Sequence, residues 1–452
     1  MKPCKWRPGA GLGGLGACAI APSVTPRSRI GTPRDLRDRA WRDTSQPMLS
    51  RRGLRRLALP RDHSLLIASG DYPAAHEVLR GLLRDARGPL LVIDMDGAMH
   101  ASTAGWRTEP VRRLSPFGGD HPWNPLAYAW TPERLRRDRI TELAALWYPG
   151  RGETERAIAT HVRNLFIALT GAVDDVLRHT NTVAPPAPGD LWRLAIDSDD
   201  TRTFRERLCT VAAADGVRSV YANVLAACTR LDDVSLTRVL RRLKEPLELL
   251  EHEACDTGTR GLRAFATGTG STYLHVPYAR RKQATPLIEA VVMQWVASAR
   301  DHAGATLAVH ALDLFPALPS LTAASGIRCI ATVRNLENLL LAYDRKAHDL
   351  ARRFDLVALH APDSTRQASR DAGAIAQCAK AHGNPEAELA TRDLVALRAG
   401  EQMLIGPTLP RPIRCRIARP RNHAPHPMAD VQGEVTPFPP PLAALAASVR
   451  RR

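Results

Sequence analysis

Two textures alternate along this chain. In the first, short runs of consecutive apolar residues are separated by stretches of helical spacing. Ser64–Ala68 ends at Ser69-Gly70, a helix-like stretch follows over Ala75–Leu83, and a second run spans Pro89–Asp94. Runs that are apolar at successive positions mark strands covered on both faces, so strand, helix, strand over about 30 residues predicts a βαβ unit. In the second texture, from 132 to 255, Arg134–Trp147, Glu153–Leu169 and Val234–Leu250 carry apolar residues at helical spacing with no strand between them. A Pro-rich break at Val183–Gly189 divides this helical stretch. The first texture then returns: Thr272–Val276, Thr306–Leu312, Arg328–Val333 and Asp355–Leu359 read as strands, with Pro286–Arg300 and Asn335–Tyr343 as helices. The whole predicts an α/β fold, a parallel sheet interrupted by an all-helical insertion. The expected divisions are a basic, largely irregular arm at 1–60, a first part of the sheet domain at 61–138, the helical domain at 139–262, a second sheet part at 263–420 and a Pro/His/Arg-rich tail at 421–452.

Charge sharpens this picture at the ends. The formal net charge is +17 over 452 residues. Residues 1–60 hold 13 Lys and Arg against 3 acids and residues 411–452 hold 8 against 2, which leaves the body nearly neutral. A basic arm containing Arg51, Arg52, Arg55 and Arg56 attracts a phosphate backbone or an anionic lipid surface, and is equally well a solvated end. The loop Arg280-Arg281-Lys282 carries the same pair of readings. The eight cysteines are scattered, with no Cys-x-x-Cys pair and no Cys/His cluster at zinc spacing, which implies a reducing cytosol and no metal site. The Gly/Ala-rich start bears only a faint likeness to a secretory signal, and no run nears the roughly 18 apolar residues of a spanning helix, so no transmembrane segment is expected.

A set of motifs, taken together, carries a family resemblance. Leu91–Gly97, then Thr103–Arg107, Ser115-Pro116-Phe117 and Trp123-Asn124-Pro125-Leu126 follow in the order and spacing of the TraG-type coupling ATPases of type IV secretion and conjugation, which this chain resembles over 31–422. Ala311–Leu318 is similar to the family's Walker B segment. Gly326 to Tyr343 is similar to the strand and helix whose Gln senses nucleotide. Thr391–Leu397 through Pro412-Ile413-Arg414 matches its closing strands. The resemblance implies a RecA-like, P-loop NTPase type of sheet whose helical insertion receives substrate.

The departures fall where the chemistry belongs. A phosphate-cradling turn uses glycines, so that backbone N–H groups converge, then a Lys and a Ser or Thr. The matching stretch Ala68–His76 has one glycine, Gly70, with Ala74 in the place of the Lys, Asp71 repelling phosphate and Pro73 lacking an N–H. Asp313 stands where a magnesium-binding acid belongs, but Leu314 replaces the Glu that polarises water. Arg334 stands for the sensor Gln, and Asp94 is followed by Asp96 and Ala98 where the family has Lys and Glu. Each retained residue also has a plain reading: Asp313 as the cap of a turn, Asp94 as an Asx-type turn residue, Trp123–Leu126 as a packing element, and His310 as a core histidine.

These residues imply a degenerate coupling-protein homologue acting in substrate recruitment or docking. ATP hydrolysis by the family mechanism is not expected, and no cofactor is assigned, ATP and magnesium entering only through the resemblance. The implied partners are DNA or a relaxase-type protein, type IV secretion components, and further copies of the chain or an active paralogue. The implied location is the cytoplasm or the periphery of the inner membrane, since the family's N-terminal anchor is not matched. An active DNA-stimulated ATPase with an atypical phosphate site, or a decayed mobile-element product, stands as the alternative.

Overall fold

The structure, a computed structural model, describes residues 30, 41, 48–52, 55–60, 62–107, 109–115, 117, 123–130, 133–150, 153–180, 185–193, 200–250, 270–315, 318, 320–321, 326–334, 336–343, 347–381, 391–407, 409 and 411–417. In chain order the strands are β1 (Met48–Arg52), β2 (Arg55–Ala58), β3 (Leu65–Ala68), β4 (Leu90–Met95), β5 (Val111–Leu114), β6 (Ser271–Val276), β7 (Thr306–Val309), β8 (Arg328–Val333), β9 (Leu356–His360), β10 (Glu401–Ile405) and β11 (Ile413–Ile417). They form one sheet in the order β2-β1-β11-β10-β9-β3-β8-β7-β4-β6-β5. From β9 to β5 every neighbour is parallel. The other four strands extend the sheet antiparallel beyond β9.

Burial explains why the apolar runs became central strands. Every residue of β3, β4, β7 and β8 is buried. Because successive side chains point to opposite faces, each strand feeds two cores. Leu65, Ile67, Leu90, Val92 and Ile330 join Val78, Leu79, Leu82 and Leu83 of helix α1 (Tyr72–Asp85) on one face. Leu66, Leu91, Ile93, Val309 and Ala331 share the other core with the helices on the opposite side. A mostly parallel sheet with helices on both faces is what the sequence pattern predicts, and it is the RecA-like arrangement that the resemblance implies.

After β4 a short helix, α2 (Ala98–Thr103), leads toward β5. Between β5 and β6 the chain runs through α3 (Arg136–Trp147), α4 (Glu153–His179), α5 (Pro188–Leu191), α6 (Thr201–Ala212), α7 (Ser219–Thr229) and α8 (Asp233–Glu248), with no strand among the described residues. The long α4 is the axis of this part and touches α3, α6, α7 and α8. Gly171 lets α7 close on it, since a Cβ there would lie 2.2 Å from the Tyr221 ring. A polar knot fixes its near end. The buried Asp174 carboxylate accepts from Trp130 Nε1 (2.8 Å), Arg136 Nη1 (2.7 Å) and Arg178 Nε (3.1 Å), and Glu133 outside it accepts from Arg178 Nη2 (2.8 Å). The fold continues with α9 (Thr285–Ala299), a mostly buried helix, and with α10 (Leu336–Tyr343), α11 (Ala347–Arg352), α12 (Thr365–Ala381) and α13 (Thr391–Val395).

Three elements differ from the sequence reading. The arm expected to be irregular supplies β1 and β2, a hairpin that pairs Arg51 with Arg56 and Arg52 with Arg55 and docks on β11; its arginine-rich composition hides strands whose pairing is set by the sheet edge. β5 went unread because two arginines separate its buried ends, Val111 and Leu114. The stretch from Thr391 through Arg414, matched to the closing strands, opens with α13: Leu394 and Leu397 are buried three positions apart while Val395 is exposed, which is helical spacing. The closing strands are β10 and β11. The tail at 421–452 lies outside the described residues.

The Asp174 knot gives a direct test. Asp174→Ala removes the acceptor of Trp130 Nε1 and leaves the largely buried Arg136 with only the exposed Glu133 at 3.4 Å, and is expected to cost about 3 kcal/mol in chemical denaturation, whereas Glu133→Ala, fully exposed, should leave the transition midpoint unchanged.

Candidate functional site

In open parallel sheets the crevice outside the carboxyl ends of the strands is where ligands bind. Here that edge gathers the turns after β3, β4, β6, β7, β8 and β9. The turn after β3 is Ser69-Gly70-Asp71. Asp71 is the N-cap of α1, and its Oδ1 accepts the Ala74 N–H at 3.2 Å. Pro73, one position earlier, has no N–H to offer. The Ser69 hydroxyl donates to the Asp71 carbonyl at 2.6 Å and lies 3.0 Å from His360 Nδ1 at the end of β9. With the hydroxyl proton so used, Nδ1 of His360 carries the proton of that second bond. A Cβ on Gly70 would sit 2.3 Å from Asp363 Oδ2, so the Asp363 carboxylate rests on the glycine and would have to swing aside for a larger residue.

Beside this turn the histidines are held neutral. His360 is pulled down to about 4 by burial, against the opposing pull of Asp71. His310, after β7, is likewise lowered to about 4 by burial and by His76. His76 of α1 meets it edge to face at 5.4 Å and is itself lowered by burial. At the end of β4, Asp94 is completely buried and caps α2: its two oxygens accept from Met99 N (2.9 Å) and His100 N (2.8 Å). Burial pushes its carboxyl up to about 6 despite these bonds. Asp96 and Gly97 then turn with φ of 54° and 75°, and Asp96 Oδ1 accepts the Tyr278 N–H at 2.8 Å, tying this turn to the one after β6.

The remaining predicted residues divide by location. Asp313 and Leu314 lie in a single 3-10 turn, Leu312–Leu314, entered through Ala311 in the left-handed region at φ 62° and pinned there by its N–H bond to Thr332 Oγ1 (2.9 Å). Arg281 joins this turn: its Nε donates to the Leu314 carbonyl at 2.8 Å while its guanidinium stacks on Tyr278 at 3.9 Å. Arg280 stacks on Phe117 at 4.9 Å, and Lys282 faces solvent. Arg334 follows β8 and is exposed, next to the β3 turn through the Ser69 N–H to Val333 carbonyl bond at 3.0 Å. Gly70, Ala74, Asp94, Asp313, Leu314, Arg334 and the 280–282 loop therefore share one edge of the sheet. Arg51, Arg52, Arg55 and Arg56 do not; they belong to the outer hairpin, with β11, β10 and β9 between them and β3. The sequence reading did not single out Ser69, His360 or Asp363. Some 290 residues separate Ser69 and Gly70 from His360 and Asp363, and neither of the latter follows a recognisable motif; only the topology brings β9 beside β3.

No protein-family model and no curated protein sequence matches the chain. Solved structures do. The unbound monoclinic form of the bacterial conjugative coupling protein TrwBdeltaN70 is 16% identical with a TM-score of 0.64, covering 89% of this chain and 95% of that one. TrwB with the non-hydrolysable GTP analogue GDPNP gives 16% and 0.62 over 89% and 96%. TrwB with ADP and Mg2+ gives 16% and 0.60 over 90% and 97%. This chain has the coupling-protein fold. The similarity extends over the helical part as well as the sheet, and the turn after β3 in this chain has one glycine and no lysine.

Two measurements probe the site. A buried histidine that stays neutral gives stability that is complete above its ordinary value near 6.5 and is lost as pH falls through its lowered one; Asp94, raised to about 6, acts with the opposite sign between 3.8 and 6. The readout is therefore a difference. The stability advantage of wild type over His360→Asn should shrink by about 2–3 kcal/mol between pH 7 and pH 4.5. Ala311→Gly relieves a left-handed alanine and should stabilise the fold by about 0.5–1 kcal/mol in urea unfolding.

Proposed function

We propose that this chain is a coupling-protein homologue of conjugative DNA transfer or type IV secretion that recruits or docks substrate without hydrolysing nucleotide. The observation that carries the reading is the occupied start of α1. A triphosphate there needs free N–H groups and a cation. Asp71 already takes the Ala74 N–H, Pro73 supplies none, the Asp71 and Asp363 carboxylates flank the turn, and His76, His310 and His360 stay neutral at pH 7. Both oxygens of Asp94 are spent on α2. These residues do not fit a magnesium triphosphate. Each missing charge-assisted bond is worth about 1.5–3 kcal/mol, so several together remove ordinary nucleotide affinity.

The coupling-protein resemblance supports DNA or a relaxase-type protein as the substrate, with α3–α8 as the surface that receives it, and assembly with further copies or with an active paralogue that supplies hydrolysis. Among the described residues no helix is long and apolar enough to cross a membrane. The Arg51–Arg56 hairpin offers a salt-sensitive contact with DNA phosphates or anionic lipid at the periphery of the inner membrane.

Titration of the full chain with a fluorescent ATP analogue and Mg2+, with and without single-stranded DNA, should show no saturable binding, and phosphate release should stay at background at every DNA concentration. A relaxase of the same transfer system should bind without nucleotide. Tight magnesium-dependent ATP binding would sink the reading in favour of an active motor with an unorthodox phosphate site. Asp71→Ala, which frees the α1 terminus, should lose about 1 kcal/mol of stability and gain no ATP binding, because no cation takes the aspartate's place.

A further inference from the structure

The opposite end of the sheet holds a cavity of about 1000 Å3 beneath the amino ends of β3, β7, β8 and β9. By strand length it lies roughly 15 Å from the edge described above. Ser64, Arg328, Arg353 and Asp355 form its deeper wall, and the exposed rim adds two further arginines and three aspartates.

Most hydrogen bonds of the deeper wall are closed: Arg353 leaves only its Nε open, whereas Arg328 leaves two nitrogens open. Asp355 Oδ2 accepts the Ser64 N–H at 2.7 Å. The Ser64 hydroxyl accepts from Cys329 N at 2.9 Å and from Arg353 Nη1 at 3.0 Å, and Arg353 Nη2 donates to the Ile327 carbonyl. Arg328, the first residue of β8, is 8% exposed, yet its Nε and Nη2 make no hydrogen bond. These two atoms form the side of the guanidinium whose N–H bonds run parallel, the fork that grips two oxygens of one carboxylate or phosphate. Asp62 on the rim attracts the group through space without bonding to these atoms. Burial lowers the Arg328 pKa only to about 10, so the charge persists at neutral pH. A buried charge without an acceptor is an unfavourable arrangement that a bound anion corrects.

We propose that this cavity binds a small-molecule oxyanion, a phosphate or carboxylate group seated against Arg328. The volume suits a body of metabolite or nucleotide size attached to that group. The site is independent of the function proposed above, because it sits at the other end of the sheet and uses none of the same residues.

The test is titration of the full chain, in chloride buffer, with inorganic phosphate and separately with malonate, read by calorimetry and by the unfolding midpoint. At least one probe should bind saturably and raise the midpoint, and which one does so tells phosphate from carboxylate. In Arg328→Met the affinity should fall at least tenfold, while the midpoint without anion stays equal or rises, since the variant removes an unpaired buried charge. Asp62→Asn, which removes the competing acid, should tighten binding. The proposal is overturned if neither probe binds saturably, if Arg328→Met binds like wild type, or if Arg328→Met and Asp62→Asn both lower the midpoint as the halves of a closed internal pair would. A phosphate response abolished by Asp71→Ala and untouched by Arg328→Met would overturn it as well, by placing the anion at α1.

Discussion

A parallel sheet covered on both faces leaves polar chemistry nowhere to go but its two ends. In this protein β3, β4, β7 and β8 are buried at every position, and their alternate side chains are divided between two apolar cores. Any charge brought into the middle of that arrangement would be desolvated on both sides. Titratable groups accordingly collect where the strands stop: histidines and aspartates at the carboxyl end, arginines and aspartates at the amino end. The two ends are thereby kept apart by the least polar part of the molecule.

At the carboxyl end, the orphan N–H groups of a helix start have been satisfied from within. Asp71 does for α1 what a phosphate does in a nucleotide-binding turn, and Asp94 does the same for α2. A carboxylate that caps its own helix is covalently attached and always present, so a free anion competes against a very high effective concentration. Internal capping by aspartate also stabilises the fold.

Much of the architecture was legible because burial on both faces writes itself into the sequence as uninterrupted apolar runs; β3, β4, β6, β7, β8 and β9 were all readable in this way. What escaped was set by context. β5 exposes two arginines between buried ends, and β1 and β2 are strands because an edge is there to receive them. α13 was not set apart from the closing strands that follow it, because the match was made over the whole stretch from Thr391 through Arg414, although the spacing of Leu394 and Leu397 is helical. Within the site, Asp71, Pro73 and Ala74 were readable as residues, since they are neighbours in sequence. The Ser69–His360 bond, the Asp363 carboxylate over Gly70 and the reach of Arg281 to Leu314 were not, because they join distant segments through the strand order alone.

The attachment of the helical part has a mechanical side. β5 and β6 are parallel neighbours, paired from Val111 with Ser271 to Leu114 with Leu274. The chain therefore leaves for the helices at one end of the ladder and comes back at the other. A force drawn through the helices would load these strands in opposite directions along their length, as shear shared by every bond between them, instead of unzipping them one at a time. The helices are harnessed to the sheet like a pack on two crossed straps, and a tug on them is felt at both of its ends together.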